Sequence, residues 1–265
     1  MLENKTYETI RFEYTQRVVR IYLNRPEIHN AFNEIMISEL LDLYVTISKV
    51  DNLRVVVLTG TGKSFCAGAD LNWMSGVINY SFEQNYQESL NLAELLYTIY
   101  ILNKPTIALV NGAAIGGGTG LVAVNDIVIA SERAKFSLSE VKLGLVPACI
   151  SPYVIRKIGE NRSRELFLTG QRINSAVAND YGLVNYVVPD DELDEVLEKT
   201  ISQLISSGPN ALKVCKELLS NVPGKTLLEN KEYTAEIIAK LRVSEEGQEG
   251  MKAFFEKRKP GWIRG

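Results

Sequence analysis

Two stretches of small residues, each following an apolar run, hold the backbone chemistry that this chain could perform. They are Phe65-Cys66-Ala67-Gly68-Ala69-Asp70-Leu71 and Asn111-Gly112-Ala113-Ala114-Ile115-Gly116-Gly117-Gly118. Small side chains let backbone N–H groups come close to a ligand. A helix opening directly after such a turn adds unpaired N–H groups and the positive end of its dipole. Two N–H groups aimed at one carbonyl oxygen would stabilise the charge of an enolate, and losing one such donor costs about 2.7–4 kcal/mol. Tight turns and close packing alone would account for the same glycines. A third segment, Phe136-Ser137-Leu138-Ser139, alternates apolar and polar residues as a strand end does and delivers Glu140. Taken by itself, that glutamate reads as a solvated side chain.

Two familiar phosphate-binding patterns fail on spacing. Gly60-Thr61-Gly62-Lys63-Ser64 follows an apolar run, but a nucleotide-binding P-loop needs a glycine where Val57 stands and a helix where Cys66-Ala67-Gly68-Ala69 intervenes. Gly116-Gly117-Gly118-Thr119-Gly120 would need its last dinucleotide-binding glycine at Leu121. His29 is the only histidine, and Cys66, Cys149 and Cys215 are far apart. Neither a zinc pattern nor a disulfide framework follows, so no metal is expected.

The elements that would position these loops can be read from periodicity. Tyr7–Tyr14 and Val18–Leu23 alternate like paired strands. Met36, Leu40, Leu43, Tyr44 and Ile47 form one helical stripe from about Asn33. Val55–Leu58 reads as a buried strand, with a loop from Thr59 to Gly68 after it. A long helix is expected behind the capping box of Ser81 and Gln84, lined by Leu92, Leu95, Leu96, Ile99 and Leu102 and stopped at Pro105. Thr106–Val110 and Ile127–Ala130 are further strands, with a helix between them. Alternation of this kind argues for α/β architecture. From about Asp190 the patterns turn helical, with breaks at Gly208-Pro209 and Pro223-Gly224. The expected division is a core of residues 1–190 and a helical subdomain of residues 191–265.

The chain has 265 residues, 46% hydrophobic and 23% charged, with a net charge of -3. That balance gives no general attraction to nucleic acid or to an anionic membrane. No apolar run approaches the roughly 20 residues that span a bilayer. Met1-Leu2-Glu3-Asn4-Lys5 has no feature of a signal or transit peptide, and a reducing cytosol is the expected setting.

Set in order, the motifs become specific. Asn24-Arg25-Pro26 with Asn30-Ala31-Phe32, then Phe65–Leu71, then Asn111–Gly118, then Phe136–Glu140 with Gly144-Leu145-Val146-Pro147, and finally Ala253-Phe254 with Glu256-Lys257-Arg258, span nearly the whole chain. The sequence resembles the enoyl-CoA hydratase/isomerase (crotonase) superfamily. The resemblance implies a spiral of β-β-α units with a helical C-terminal subdomain serving oligomerisation and CoA cover. It implies an acyl-CoA thioester substrate, no separate cofactor (coenzyme A being part of the substrate), and a homotrimer or homohexamer. Carried over by motif, the oxyanion-hole N–H groups fall on Ala69 and Gly117 and the catalytic carboxyl on Glu140. Ala67, Asp70, Leu71, Phe254 and Lys257 fall in CoA-binding positions. Gly116, Gly120, Ser151 and Tyr153 fall around the acyl pocket.

One position departs from the pattern. Hydratases of this superfamily usually carry a first glutamate two residues after the triple glycine, where this chain has Gly120. The glycine would leave room for a bulkier acyl group. Segments 139–153 and 242–250 look like the bacterial methylglutaconyl-CoA hydratases of leucine breakdown, which implies a branched 2-enoyl-CoA with a distal carboxylate. An isomerase, a decarboxylase and a non-catalytic acyl-CoA-binding relative are the alternatives, and RNA binding fits the acidic chain poorly.

Overall fold

The computed structural model describes Leu2 and residues 5–264. Met1, Glu3 and Asn4, part of the stretch read above for a targeting signal, lie outside the described residues, as does Gly265. The chain divides into two compact units, residues 1–199 and 200–265. Among the described residues no helix is long and apolar enough to cross a membrane.

In the first unit, β1 (Ile10–Tyr14) and β2 (Val18–Leu23) form the expected antiparallel pair. β3 (Val55–Gly60) is buried along its whole length, as a parallel strand covered on both faces must be. A short strand, β4 (Ser64–Cys66), follows within the segment expected to be loop. The pattern then repeats with β5 (Thr106–Val110) and β6 (Ala113–Ile115), and with β7 (Ile127–Ser131) and β8 (Lys135–Ser137). β9 (Arg172–Asn174) and β10 (Tyr186–Val188) complete the strands. β3, β5 and β7 join β1, β2 and β10 in a six-stranded sheet ordered β1-β2-β3-β5-β7-β10, and β4, β6 and β8 join β9 in a four-stranded sheet ordered β4-β6-β8-β9.

Helices close each repeat. α1 (Glu34–Ser48) begins at Asn33, whose side chain accepts from the Met36 N–H. Such a cap is worth about 1 kcal/mol. α2 (Leu71–Val77) was not foreseen, and α3 (Phe82–Tyr100) opens with the expected Ser81/Gln84 capping box. α4 (Gly117–Ala123) follows β6, and α5 (Ser151–Thr169) follows a 3₁₀ turn at Glu140–Leu143. α6 (Ser175–Asp180) links β9 to β10. The core includes Leu23, Tyr44, Leu58, Phe65, Leu96 and Phe136, all within the first unit.

α7 (Leu193–Ser206) runs across the division between the units. The second unit then holds α8 (Pro209–Asn221), α9 (Leu227–Val243), α10 (Glu245–Phe255) and α11 (Gly261–Arg264). The Glu246 carboxylate accepts from the N–H groups of Asn210 and Ala211 and so caps α8. Arg258 makes a two-pronged ion pair with Glu249, at 2.6 and 2.8 Å.

What matters for the site is the smaller sheet. β4, β6 and β8 are parallel, with Cys66 opposite Ala114 and Ala114 opposite Phe136. Their C-terminal ends therefore emerge along one edge, and residues 67–70, 116–117 and 139–140 leave it together. Thr119 locks this edge. Its buried hydroxyl lies 2.7 Å from the Ala114 carbonyl and 3.0 Å from that of Ser137. Thr119→Val should cost about 1–3 kcal/mol by leaving those buried acceptors short of a donor. That corresponds to a fall of about 2–4 °C in melting temperature for each kcal/mol. Thr119→Ser should keep most of the stability, and equal melting of both variants would remove the hydroxyl from the account.

Candidate active site

The two small-residue turns lie against each other. A side chain at Gly118 would stand 3.0 Å from the Cys66 Cβ and closer still to the Cys66 carbonyl oxygen, so only glycine permits the approach. Gly116 has φ +53°, a conformation open to glycine but strained for other residues. It donates its N–H to the Ser137 carbonyl at 2.7 Å.

Phe32 sets the spacing between the turns. Its backbone pairs with the loop on both sides of Ala69, accepting from Asp70 N–H at 2.9 Å and donating to the Gly68 carbonyl at 2.8 Å. Its ring presses on Gly117, where a Cβ would fall 2.5 Å from the ring carbons. Ala69 and Gly117 are thus gauged against one side chain. Among the described residues neither of their N–H groups has a hydrogen-bond partner. The Ala67 N–H, by contrast, is spent on the His29 carbonyl at 3.0 Å.

Glu140 faces this pair of turns. A Cβ on Gly116 would sit 3.1 Å from its Oε1. Its Oε2 is buried and has no partner among the described residues. Burial pushes the Glu140 carboxyl above its ordinary range, and a hydrogen bond to its own backbone N–H only partly offsets this. An unpartnered buried carboxyl in that condition is the kind of group that acid–base chemistry uses.

Asp70 is buried and holds its loop. Burial alone would raise its carboxyl, but the Asn72 and Trp73 N–H groups and the Arg25 guanidinium, 2.7 Å away, outweigh it and keep the group below the usual carboxylate range. Asp70 also caps α2. His29 turns from the site, its Nδ1 resting 3.0 Å from the Ser64 hydroxyl.

A cleft of about 750 Å³ opens beside Ala69. Phe32, Leu71, Met74 and Leu92 line it, with Leu143 and Leu145 just beyond Glu140. Glu88, Asn85 and Ser89 supply polar lining from α3. Ser151 donates its hydroxyl to the Ala148 carbonyl, and Tyr153 packs on Tyr100 with ring centroids 5.2 Å apart; neither lines this cleft. Gly120 is buried, and a Cβ there would stand 2.8 Å from the Ile150 Cβ and nearer its Cγ2, so Ile150 packs directly on this glycine. Phe254 and Lys257 lie in the second unit, at the end of α10 and just past it, with Phe254 largely exposed.

Sequence reasoning missed Phe32 as the spacer, Ile150 as the filler, and Glu88 and Trp73 beside the cleft. Only the α3 residues had an available signal, since Asn85, Glu88, Ser89 and Leu92 recur at helical steps.

Repeated β-β-α units whose strand ends converge along one edge of a small parallel sheet are the architecture of the crotonase fold. The sequence profile of the enoyl-CoA hydratase/isomerase family matches residues 13–264, and the chain belongs to that family. It is similar to a crystallised enoyl-CoA hydratase from Shewanella pealeana, with 42% identity, a TM-score of 0.93 and 96% of each chain covered. Pseudomonas aeruginosa AtuE superposes with a TM-score of 0.93 at 36% identity, over 97% of this chain and all of that one. A Mycobacterium bovis protein named "Probable enoyl-CoA hydratase echA8" is 34% identical, over 96% of this chain and 98% of its own.

Gly120 and Ile150 should behave as one packing unit. Gly120→Ala should destabilise the fold by about 1–3 kcal/mol through overpacking. Ile150→Ala should cost about 2–5 kcal/mol through the cavity it leaves. The double variant should cost clearly less than the sum in a denaturant titration. Additivity within about 0.5 kcal/mol would show that the two positions are independent.

Proposed function

We propose that this protein is an enoyl-CoA hydratase that uses Glu140 as its single acid–base group. The observation that carries the reading is the buried, unpartnered Glu140 Oε2 beside the free N–H groups of Ala69 and Gly117. The relatives named as hydratases support it. Bound at this site, the thioester oxygen lies between the two N–H groups, which favour the enolate over the ground state. Water adds to Cβ as the double-bond electrons move toward that oxygen. The neutral carboxyl gives its proton to Cα through one oxygen, while its other oxygen takes a proton from the adding water. Glu140 ends the cycle protonated as it began, so one carboxyl serves where two are usual.

An isomerase is the second reading, favoured by Ile150 standing where a second carboxylate would have to reach. It would move one proton between Cα and Cγ through the same group. Mass spectrometry of the product from a 3-enoyl-CoA and from crotonyl-CoA separates the two, since only hydration adds the mass of water.

For the acyl group, the sequence likeness to methylglutaconyl-CoA hydratases supports 3-methylglutaconyl-CoA. That ester brings a distal carboxylate, and the cleft has no lysine or arginine among its lining residues to receive it. We therefore rank neutral 2-enoyl-CoA esters ahead of it.

Glu140→Gln should lower kcat by at least about 10²-fold and leave KM for crotonyl-CoA within a few-fold, because the amide keeps the shape and loses the proton. Since desolvation raises the carboxyl and the protonated form is the active one, kcat/KM should fall as pH rises through that raised value. The same burial disfavours the ionised form in the folded state, so stability held at low pH is lost as pH rises through it. Glu140→Gln should then melt no lower than the parent at neutral pH. A variant with a tenth or more of the parental kcat would remove Glu140 from the chemistry.

A further inference from the structure

Three sides of the cleft beside Ala69 are apolar, and the fourth is a single face of α3. Asn85, Glu88, Ser89 and Leu92, spaced by three and four residues, project into the same opening. Glu88 is the only acidic or basic side chain among the lining residues. It is also held in place. The Trp73 indole N–H donates to Glu88 Oε1 at 3.3 Å, and the Trp73 ring meets Phe32 edge-on with centroids 5.9 Å apart. Phe32 in turn touches Gly117. The acid is therefore linked to one of the free N–H groups only through two intervening side chains, Trp73 and Phe32.

A glutamate in a largely apolar cleft with no neighbouring cation acts as a filter on charge. A second carboxylate entering there would meet a like charge and find no guanidinium or ammonium among the lining residues to pair with. A hydrocarbon chain would bury itself against Leu71, Met74 and Leu92, and a hydroxyl at its end would have an acceptor in Glu88. We infer that Glu88 sets acyl selectivity by excluding chains that end in a carboxylate and admitting neutral ones, apolar or hydroxyl-bearing. The inference rests on the reading that this cleft takes the acyl group of a CoA thioester.

Binding tests it without any need for turnover. Calorimetric Kd values for hexanoyl-CoA and glutaryl-CoA, which share the CoA group and differ at the far end of the chain, are measured for the parent, Glu88→Gln and Asn85→Lys. The glutamine keeps an oxygen for Trp73 and removes the charge. The lysine leaves Glu88 untouched and places a cation one turn away. The parent should bind hexanoyl-CoA at least tenfold more tightly than glutaryl-CoA. Each variant should narrow that ratio by about tenfold, with the affinity for free CoA unchanged. A ratio that moves by less than twofold in both variants overturns the role of Glu88 while leaving the acyl-CoA reading intact. Failure of the parent to bind either ester overturns both.

Discussion

Three short parallel strands in the smaller sheet are the constraint on which this site depends. Parallel neighbours present like ends on one edge, and β4, β6 and β8 do so over only three residues each. Strands so short have little pairing energy of their own. Each is delivered by a long strand of the larger sheet, whose buried apolar runs supply the stability that the short strands lack. Register in the large sheet is therefore transmitted to the site. A one-residue slip of β5 against β3 would exchange the side chains packed on the two covered faces, and it would shift Gly116 and Gly117 relative to Glu140 at the same time.

That arrangement explains why the site can hold polar groups that are unsatisfied. Two backbone N–H groups of half-buried residues and one buried carboxyl oxygen stand without partners, and a buried unpaired polar group costs about 1–3 kcal/mol. Side-chain hydrogen bonds to the flanking backbone hold the loops in place. Asp70 accepts from two backbone N–H groups and from Arg25, Asn30 donates to the Thr61 and Ser64 carbonyls, and Asn111 donates to those of Gly60 and Gly62. The loops are thereby rigid through side chains that face away from substrate, and their unpaired N–H groups keep a fixed direction. Donors fixed in this way need no reorganisation when charge develops on the oxygen between them.

The architecture was largely legible in the sequence because its signals are local. The Asn33 cap, the Ser81/Gln84 box, the buried run of β3 and the break at Gly208-Pro209 each announce themselves within a few residues. β4 was hidden because three residues show no period, and α2 because Asp70, its cap, sits inside a motif read for another purpose. The backbone donors were legible only as glycine-rich turns, and the resemblance had to supply which amides matter. What could not be read was packing between residues far apart in the chain. Nothing near Gly120 says that Ile150 covers it, and nothing near Gly117 says that Phe32 gauges it.

Glycine at position 120 also bears on how one carboxyl can suffice. Two carboxyls that share a site drive their ionisations apart, and this chain has glycine at position 120 where the usual pair would place one of them. With glycine at position 120, Glu140 is raised by burial and not by a charged partner. Burial favours the neutral acid, and that is the form able to give a proton from one oxygen and accept one at the other. On the proposed mechanism, the absence of a second carboxyl at position 120 and the burial that keeps Glu140 neutral are therefore chemically consistent.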